Sequence, residues 1–233
     1  MKQLVTEAIV LSRTDYGEAD RILTLLTPEQ GKLSLVAKGV RRHKSKLAGG
    51  IELFSVTQIT YLPGRASSGL GTLISSRLRT YYRHIVEDIN RTMLGYELIK
   101  QLHRATEDQP DADYFELLRQ AFEALDDSTI GLDLIRVWFS AQLLRLDGHA
   151  PNLRTDTAGE ALVATGNYDF SLDDMAFMLR PDGPYQADHI KLLRLIFNGG
   201  NQPKVLGQIS NIQSLVAELD SPVSLMFRTY HRQ

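Results

Sequence analysis

The chain has 233 residues, 43% of them hydrophobic, with 26 Lys/Arg against 28 Asp/Glu and no cysteine. The lack of cysteine excludes disulfides, thiolate metal sites and cysteine nucleophiles. The apolar content is enough for one good core or two modest ones.

Residues 3–12 (QLVTEAIVLS) alternate, with Val5, Ile9 and Leu11 on one side and Thr6, Ala8, Val10 and Ser12 on the other, which predicts a strand. RILTLLT (21–27) and KLSLVAKGV (32–40) flank Pro28-Glu29-Gln30-Gly31, whose Pro and Gly suit a tight turn, and predict a hairpin. IELFSVTQITYL (51–62) is rich in β-branched and aromatic residues, and TLISSRLRTY (72–81) follows a Gly/Ser/Pro stretch over 63–71. Five strands in about eighty residues suit a small barrel of the oligonucleotide-binding (OB) type.

After Tyr82 the hydrophobic period changes from two to about 3.6. Ile85, Ile89, Met93, Tyr96 and Ile99 are expected to form one helical face, and Phe115, Leu118, Phe122 and Leu125 the next, entered through Pro110-Asp111. LDLIRVWFSAQLLRL (132–146) is apolar nearly all round and reads as the central helix of a bundle, with Trp138 in its core and Gly148 as its stop. Residues 150–184 read as a loop-rich insert, and helices over 187–198, over 204–220 and after Pro222 complete the chain. The expected fold is α+β: a five-stranded OB barrel over 1–81, then an all-α domain over 82–233 with a cysteine-free insert.

Residues 1–80 hold twelve Lys/Arg against six Asp/Glu, a net of +6, and the remainder fourteen against twenty-two, a net of −8. Such asymmetry suggests one region prepared for a polyanion. The densest feature is KGVRRHKSK, where Lys38, Arg41, Arg42, Lys44 and Lys46 place five positive charges in nine residues. They suit phosphate neutralisation with counterion release; the plainer alternative is a solvated loop. On extended strands Lys32 and Lys38 share a face, as do Ser75, Arg77 and Arg79, which together outline a groove for a single-stranded backbone. Base stacking would need an exposed aromatic, and Tyr16, Phe54 and Tyr61 are the candidates.

Catalytic patterns are missing. There is no GxxxxGK[ST], HExxH or GxSxG, and the six histidines are scattered. No catalytic residue, cofactor or metal is assigned, and an enzyme is not expected. No apolar run approaches the roughly 18 residues of a membrane-spanning helix. The stretch after Met1 and Lys2 is broken by Gln3, Thr6 and Glu7, so no signal peptide is expected and a cytoplasmic protein is the default reading.

Tyr16-Gly17-Glu18 with Asp20, Thr27 and Gly31, Ala37-Lys38-Gly39, Arg41-Arg42, Lys44-Ser45, Leu47 and Phe54 together resemble the bacterial RecO family of recombination mediators. LDGHAPNL (146–153) resembles the stretch with which that family ends its central helix. The resemblance implies a non-catalytic protein, cytoplasmic and nucleoid-associated, that binds single- and double-stranded DNA and anneals complementary strands. It further implies help in loading RecA onto DNA coated by single-strand-binding protein, with RecR as partner. By that similarity Lys38, Arg41, Arg42, Lys44 and Lys46 are the expected DNA contacts, with Lys32, Arg77 and Arg79 added from the strand geometry. The family's helical domain binds the acidic, apolar tail of single-strand-binding protein; Arg136 and Arg145 are possible contributors, with ordinary ion pairs to acidic neighbours as the alternative.

One departure stands out. Many members carry a four-cysteine zinc module whose positions fall here on Thr155, Ala158 and about Leu179 and Asp182, so a metal-free insert held by Leu162, Val163, Phe170, Phe177 and Met178 is expected. An OB-fold adaptor for RNA or protein remains the alternative function.

Overall fold

In the computed structural model, which describes residues 2–64, 69–106 and 112–231, the alternating N-terminal stretch forms β1 (Leu4–Tyr16). With β2 (Asp20–Thr27), β3 (Gly31–Ala37), β4 (Ser55–Leu62) and β5 (Gly71–Tyr81) it closes a barrel in the order β1-β2-β3-β5-β4. β1 and β4 pair antiparallel to shut the barrel, and β3 meets β5 in parallel, the arrangement of an OB fold. Ala8, Val10, Leu23, Leu35, Ile59 and Leu73 pack inside it.

Two predicted strands are shorter than expected. β3 stops at Ala37, so Lys38 stands in a turn and does not share a strand face with Lys32. The cause is Gly39, at φ +64°, where the chain swings into the left-handed region that glycine tolerates. β4 starts at Ser55 and not at Ile51, because Phe54 sits at φ 56°. That strained conformation is held by burial: the Phe54 ring meets Tyr96 and Phe122 edge to face, at 5.3 and 5.5 Å, and its carbonyl accepts from the Tyr82 N–H at 3.0 Å.

The strand-to-helix change falls at residue 82, but the chain's two compact units are Met1–Asp127 and Ser128–Gln233. The first therefore joins the barrel to α1 (Arg83–Glu87), α2 (Ile89–Ala105) and α3 (Ala112–Asp126); the expected helix entry at Pro110-Asp111 lies outside the described residues. α2 packs on β1 and α3 on β2, so the register partners Ile9 and Leu26 are buried without facing the barrel interior. The buried face of α3 is the one expected. That of α2 is not: Leu94, Leu98 and Leu102 face inward with Ile99, while Ile89, Met93 and Tyr96 are exposed. Asp88 caps α2 as a new helix, accepting from the Asn90 and Arg91 N–H groups, so the phase set by Ile85 does not carry through. Gly95 then fixes the inward face, because a Cβ there would lie 2.5 Å from Phe54 Cε1.

In the second unit α4 (Leu132–Leu146) is buried nearly all round, with Trp138 donating from Nε1 to the Asn201 carbonyl at 2.8 Å. Gly148, at φ +78°, ends it as expected. The insert is more ordered than its composition suggested. β6 (Asn152–Asp156), β7 (Tyr168–Ser171) and β8 (Ala176–Leu179) form a small sheet in the order β6-β8-β7. α5 (Ala187–Phe197), the short α6 (Pro203–Leu206) and α7 (Ile212–Tyr230) follow. α7 runs through Pro222, where a break was expected: the proline removes one backbone donor, but Pro222, Val223 and Met226 are buried, and this packing sustains the helix. Among the described residues, no helix is long and apolar enough to cross a membrane.

Candidate nucleic-acid interface

The basic run occupies the connection from β3 to β4, and its apolar members hold it to the barrel. Val40 and Ile51 are buried in the barrel core, and Leu47, Ala48 and Leu53 pack against it. A 3-10 turn at Ala48–Gly50 lies against β5, with Ser76 Oγ donating to the Leu47 carbonyl at 3.1 Å. At the other end the loop is tied to the tip of the β1–β2 hairpin. The Gly39 N–H donates to Asp20 Oδ1 at 2.7 Å, and the Arg41 N–H to the Ala19 carbonyl at 2.9 Å. Internal turns close at Arg42 N–H to Gly39 O (3.1 Å) and Ser45 N–H to Arg42 O (3.0 Å). The segment is thus a fixed protrusion whose charged side chains face solvent.

Those charges divide into engaged and free. Arg21 donates to Asp15 Oδ1 at 2.8 Å, and Arg41 lies 3.5 Å from Asp15 Oδ2. The hydrogen bond from Arg21, with both positive charges assisting, holds the Asp15 carboxyl below its usual range. Arg13 pairs with Glu52 at 2.8 Å. Lys32, expected at the groove, instead donates from Nζ to the His103 carbonyl at 2.8 Å and to the Thr106 carbonyl, closing the C-terminal end of α2. By contrast Lys38, Arg42, Lys44 and Lys46 are exposed and, among the described residues, their side chains have no hydrogen-bond or ion-pair partner. Arg77 on β5 is likewise exposed and unpaired. Its register partner is Gln58, whose Oε1 accepts from Arg79 at 2.7 Å, so Arg77 and Arg79 share the outer face of β4–β5.

Of the aromatic candidates, Phe54 and Tyr61 are buried and only Tyr16 is exposed, at 55%. Asp15 and Asp20, which pin the loop, were not foreseen as positioning residues; nothing in local sequence pairs them with residues about twenty or more positions away. In the second unit Arg136 pairs with Asp133 at 2.7 Å, and Arg145 donates to Gln142 Oε1 at 2.9 Å. Among the described residues, no group of three or more His, Asp or Glu side chains is placed to hold a metal ion. Around the first pair of positions matching the zinc cysteines the chain forms a hydrogen-bonded turn, where Asp156 Oδ1 accepts from the Ala158 and Glu160 N–H groups at 2.9 Å, and of the second pair Leu179 ends β8. Beside them Tyr168 and Phe177 are buried against each other, and the Val163 N–H donates to the Tyr168 hydroxyl at 2.8 Å. Of the residues expected to hold the insert, Phe177 is buried, Leu162, Phe170 and Met178 are half-buried, and Val163 is exposed.

A closed five-stranded barrel that displays a pinned cationic loop defines an OB-fold protein whose β3–β4 connection is its charged surface. A family model described as Recombination protein O N terminal matches residues 1–82. DNA repair protein RecO of Dehalococcoides mccartyi is 32% identical over 200 residues, 82% of this chain and 77% of that one. DNA repair protein RecO of Bacillus velezensis is 30% identical over 234 residues, covering 96% and 88%. The match to DNA repair protein RecO of Desulfatibacillum aliphaticivorans, 32% identical over 154 residues, spans 60% of that relative's length. The chain belongs to the RecO family.

Proposed function

We propose that this protein acts in DNA repair and recombination as a non-catalytic mediator, binding single- and double-stranded DNA through the barrel and annealing complementary strands. The observation that carries the reading is the set of cations that are unpaired among the described residues, Lys38, Arg42, Lys44 and Lys46 on a loop held at both ends, with Arg77 on β5. Arg41 and Arg79 flank this set and are already oriented by Asp15 and Gln58. Lys32 is withdrawn from the DNA surface, because its ammonium serves α2. Cations on a held backbone bind a polyanion with less ordering cost than cations on a mobile one, and phosphate contacts of this kind are tolerant of sequence.

By family membership we assign RecR, RecA and single-strand-binding protein as partners, in the loading of RecA onto coated single strands. The second unit takes the acidic, apolar tail. There Arg136 and Arg145 stand on α4, and Lys191 and Arg194 rim a cleft lined by Leu162, Val163 and Ile190. A mediator of this kind acts where the DNA is, with the nucleoid in the cytoplasm.

Fluorescence anisotropy with labelled DNA across a salt series tests the DNA reading. Each of Lys38→Ala, Arg42→Ala, Lys44→Ala and Lys46→Ala should flatten the salt dependence on single strands by about 0.7 in log-log slope for each phosphate the parent side chain neutralises. Lys32→Ala should leave that slope unchanged. Binding that ignores salt and all four loop substitutions would refute the reading. Strand annealing with and without single-strand-binding protein then tests the mediator role.

A further inference from the structure

The tip of the β1–β2 hairpin combines an exposed aromatic ring with the loop's anchor points. Tyr16 and Asp20 are register partners at the tip, so their side chains leave the same face of the hairpin, while Asp15 and Arg21, the next pair, leave the other. The loop crosses the tip between these faces. Gly39 is bound by Asp20 on the Tyr16 face, and Arg41 reaches Asp15 on the opposite one. Arg42 folds back over Gly39, its Cδ, Nε and Cζ lying 3.5 to 4.0 Å from where a Cβ on Gly39 would stand. A flat aromatic surface and the Arg42 guanidinium, unpaired among the described residues, are therefore carried on one pinned structure.

The charge around Tyr16 decides what the ring can receive. Glu18, at the apex, is exposed and, among the described residues, unpaired, and Asp15 and Asp20 hold the loop. A phosphate is repelled at the apex and attracted to Lys38, Arg42 and Lys44 on the loop that the hairpin tip holds. A neutral, flat group fits the apex, and a nucleobase is that group. Gly17, at φ +57°, turns the chain directly after Tyr16, a Cβ on it would meet nothing within 4 Å, and Tyr16 itself is exposed.

We propose that Tyr16 is a base-stacking platform: it takes one unpaired nucleobase while Arg42 and its neighbours hold the adjacent phosphates. This inference rests on the DNA-binding reading and adds to it a source of preference for single strands, since bases inside a duplex are already stacked and cannot reach the ring.

Anisotropy with a labelled single strand and the corresponding duplex, on the full chain, tests it. Tyr16→Ala should weaken single-strand binding about fivefold to a hundredfold and leave duplex binding unchanged. Tyr16→Phe should bind like the parent, because stacking needs the ring and not the hydroxyl. Tyr16→Trp should bind as well or better, and its indole emission should be quenched by a single strand and not by duplex. Unchanged single-strand binding by Tyr16→Ala, or equal loss on both DNAs, would overturn the proposal. Arg42→Ala with Lys44→Ala, run in parallel, separates the two readings. If that pair loses DNA and Tyr16→Ala does not, only stacking fails; if neither loses DNA, the DNA reading fails and stacking with it.

Discussion

Single side chains in this protein do different work from what their chemistry alone suggests. Lys32 and Arg41 are both cations on the barrel; the first closes a helix end and the second is aimed by a carboxylate. Tyr82 follows the last barrel strand directly, and its ring is buried, 5.7 Å from that of Phe122. Burial, with Glu123 adding to it, pushes its hydroxyl from an ordinary value of 10.0 up to about 12. Between those values the folded state keeps a proton that the unfolded state has lost. Stability from this group is therefore intact below pH 10 and declines as pH rises through 12. Urea unfolding followed from about pH 9 to 12 should show a steeper loss for the parent than for Tyr82→Phe. Equal slopes would mean that Tyr82 does not titrate with folding.

At the scale of elements, α2 is where sequence and structure part most clearly. Ile89, Met93 and Tyr96 have the right spacing for a buried face, yet the helix turns Leu94, Leu98 and Leu102 inward, because Phe54 needs the space over Gly95. Leu98→Ala should cost about 2–5 kcal/mol in urea unfolding, as a core truncation does. Met93→Ala should stay within about 0.5 kcal/mol, as an exposed position does. The reverse order would restore the face expected from spacing. The five strands were legible because alternation is local, and so was α4, whose apolar run leaves no exposed side. The end of β3 and the start of β4 were not, since Gly39 and Phe54 take left-handed backbone values that contacts across the fold impose. The cations of the loop could be read directly, but the pins that make them a surface could not. Asp20 meets Gly39 from nineteen positions away, and Ser76 meets Leu47 from twenty-nine.

For the whole molecule the charge balance has a finer grain than two halves. Residues 81–127 hold five Lys/Arg against eleven Asp/Glu, a net of −6, and residues 128–233 hold nine against eleven, a net of −2. The first unit thus joins a barrel at about +6 to helices at −6 and is neutral as a body; its field comes from arrangement. The second unit meets a different problem, since its small sheet folds in a chain without cysteine. Packing fills the centre: the Tyr168 ring lies edge to face with Phe177 and close to Gly166, and the Tyr168 backbone runs so near Gly183 that a Cβ there would come within 2.3 Å of the Tyr168 carbonyl carbon. Packing of that kind is indifferent to chelators, whereas a structural zinc site is dismantled by them. Overnight dialysis against a strong chelator should leave the thermal unfolding profile of the full chain unchanged. Gly183→Ala should lower the transition that belongs to residues 128–233, because the clash is with backbone and no rotamer relieves it. With a core in each unit, two transitions are expected where each is resolved. A profile shifted by the chelator and untouched by Gly183→Ala would show that a metal, and not Tyr168, organises the sheet.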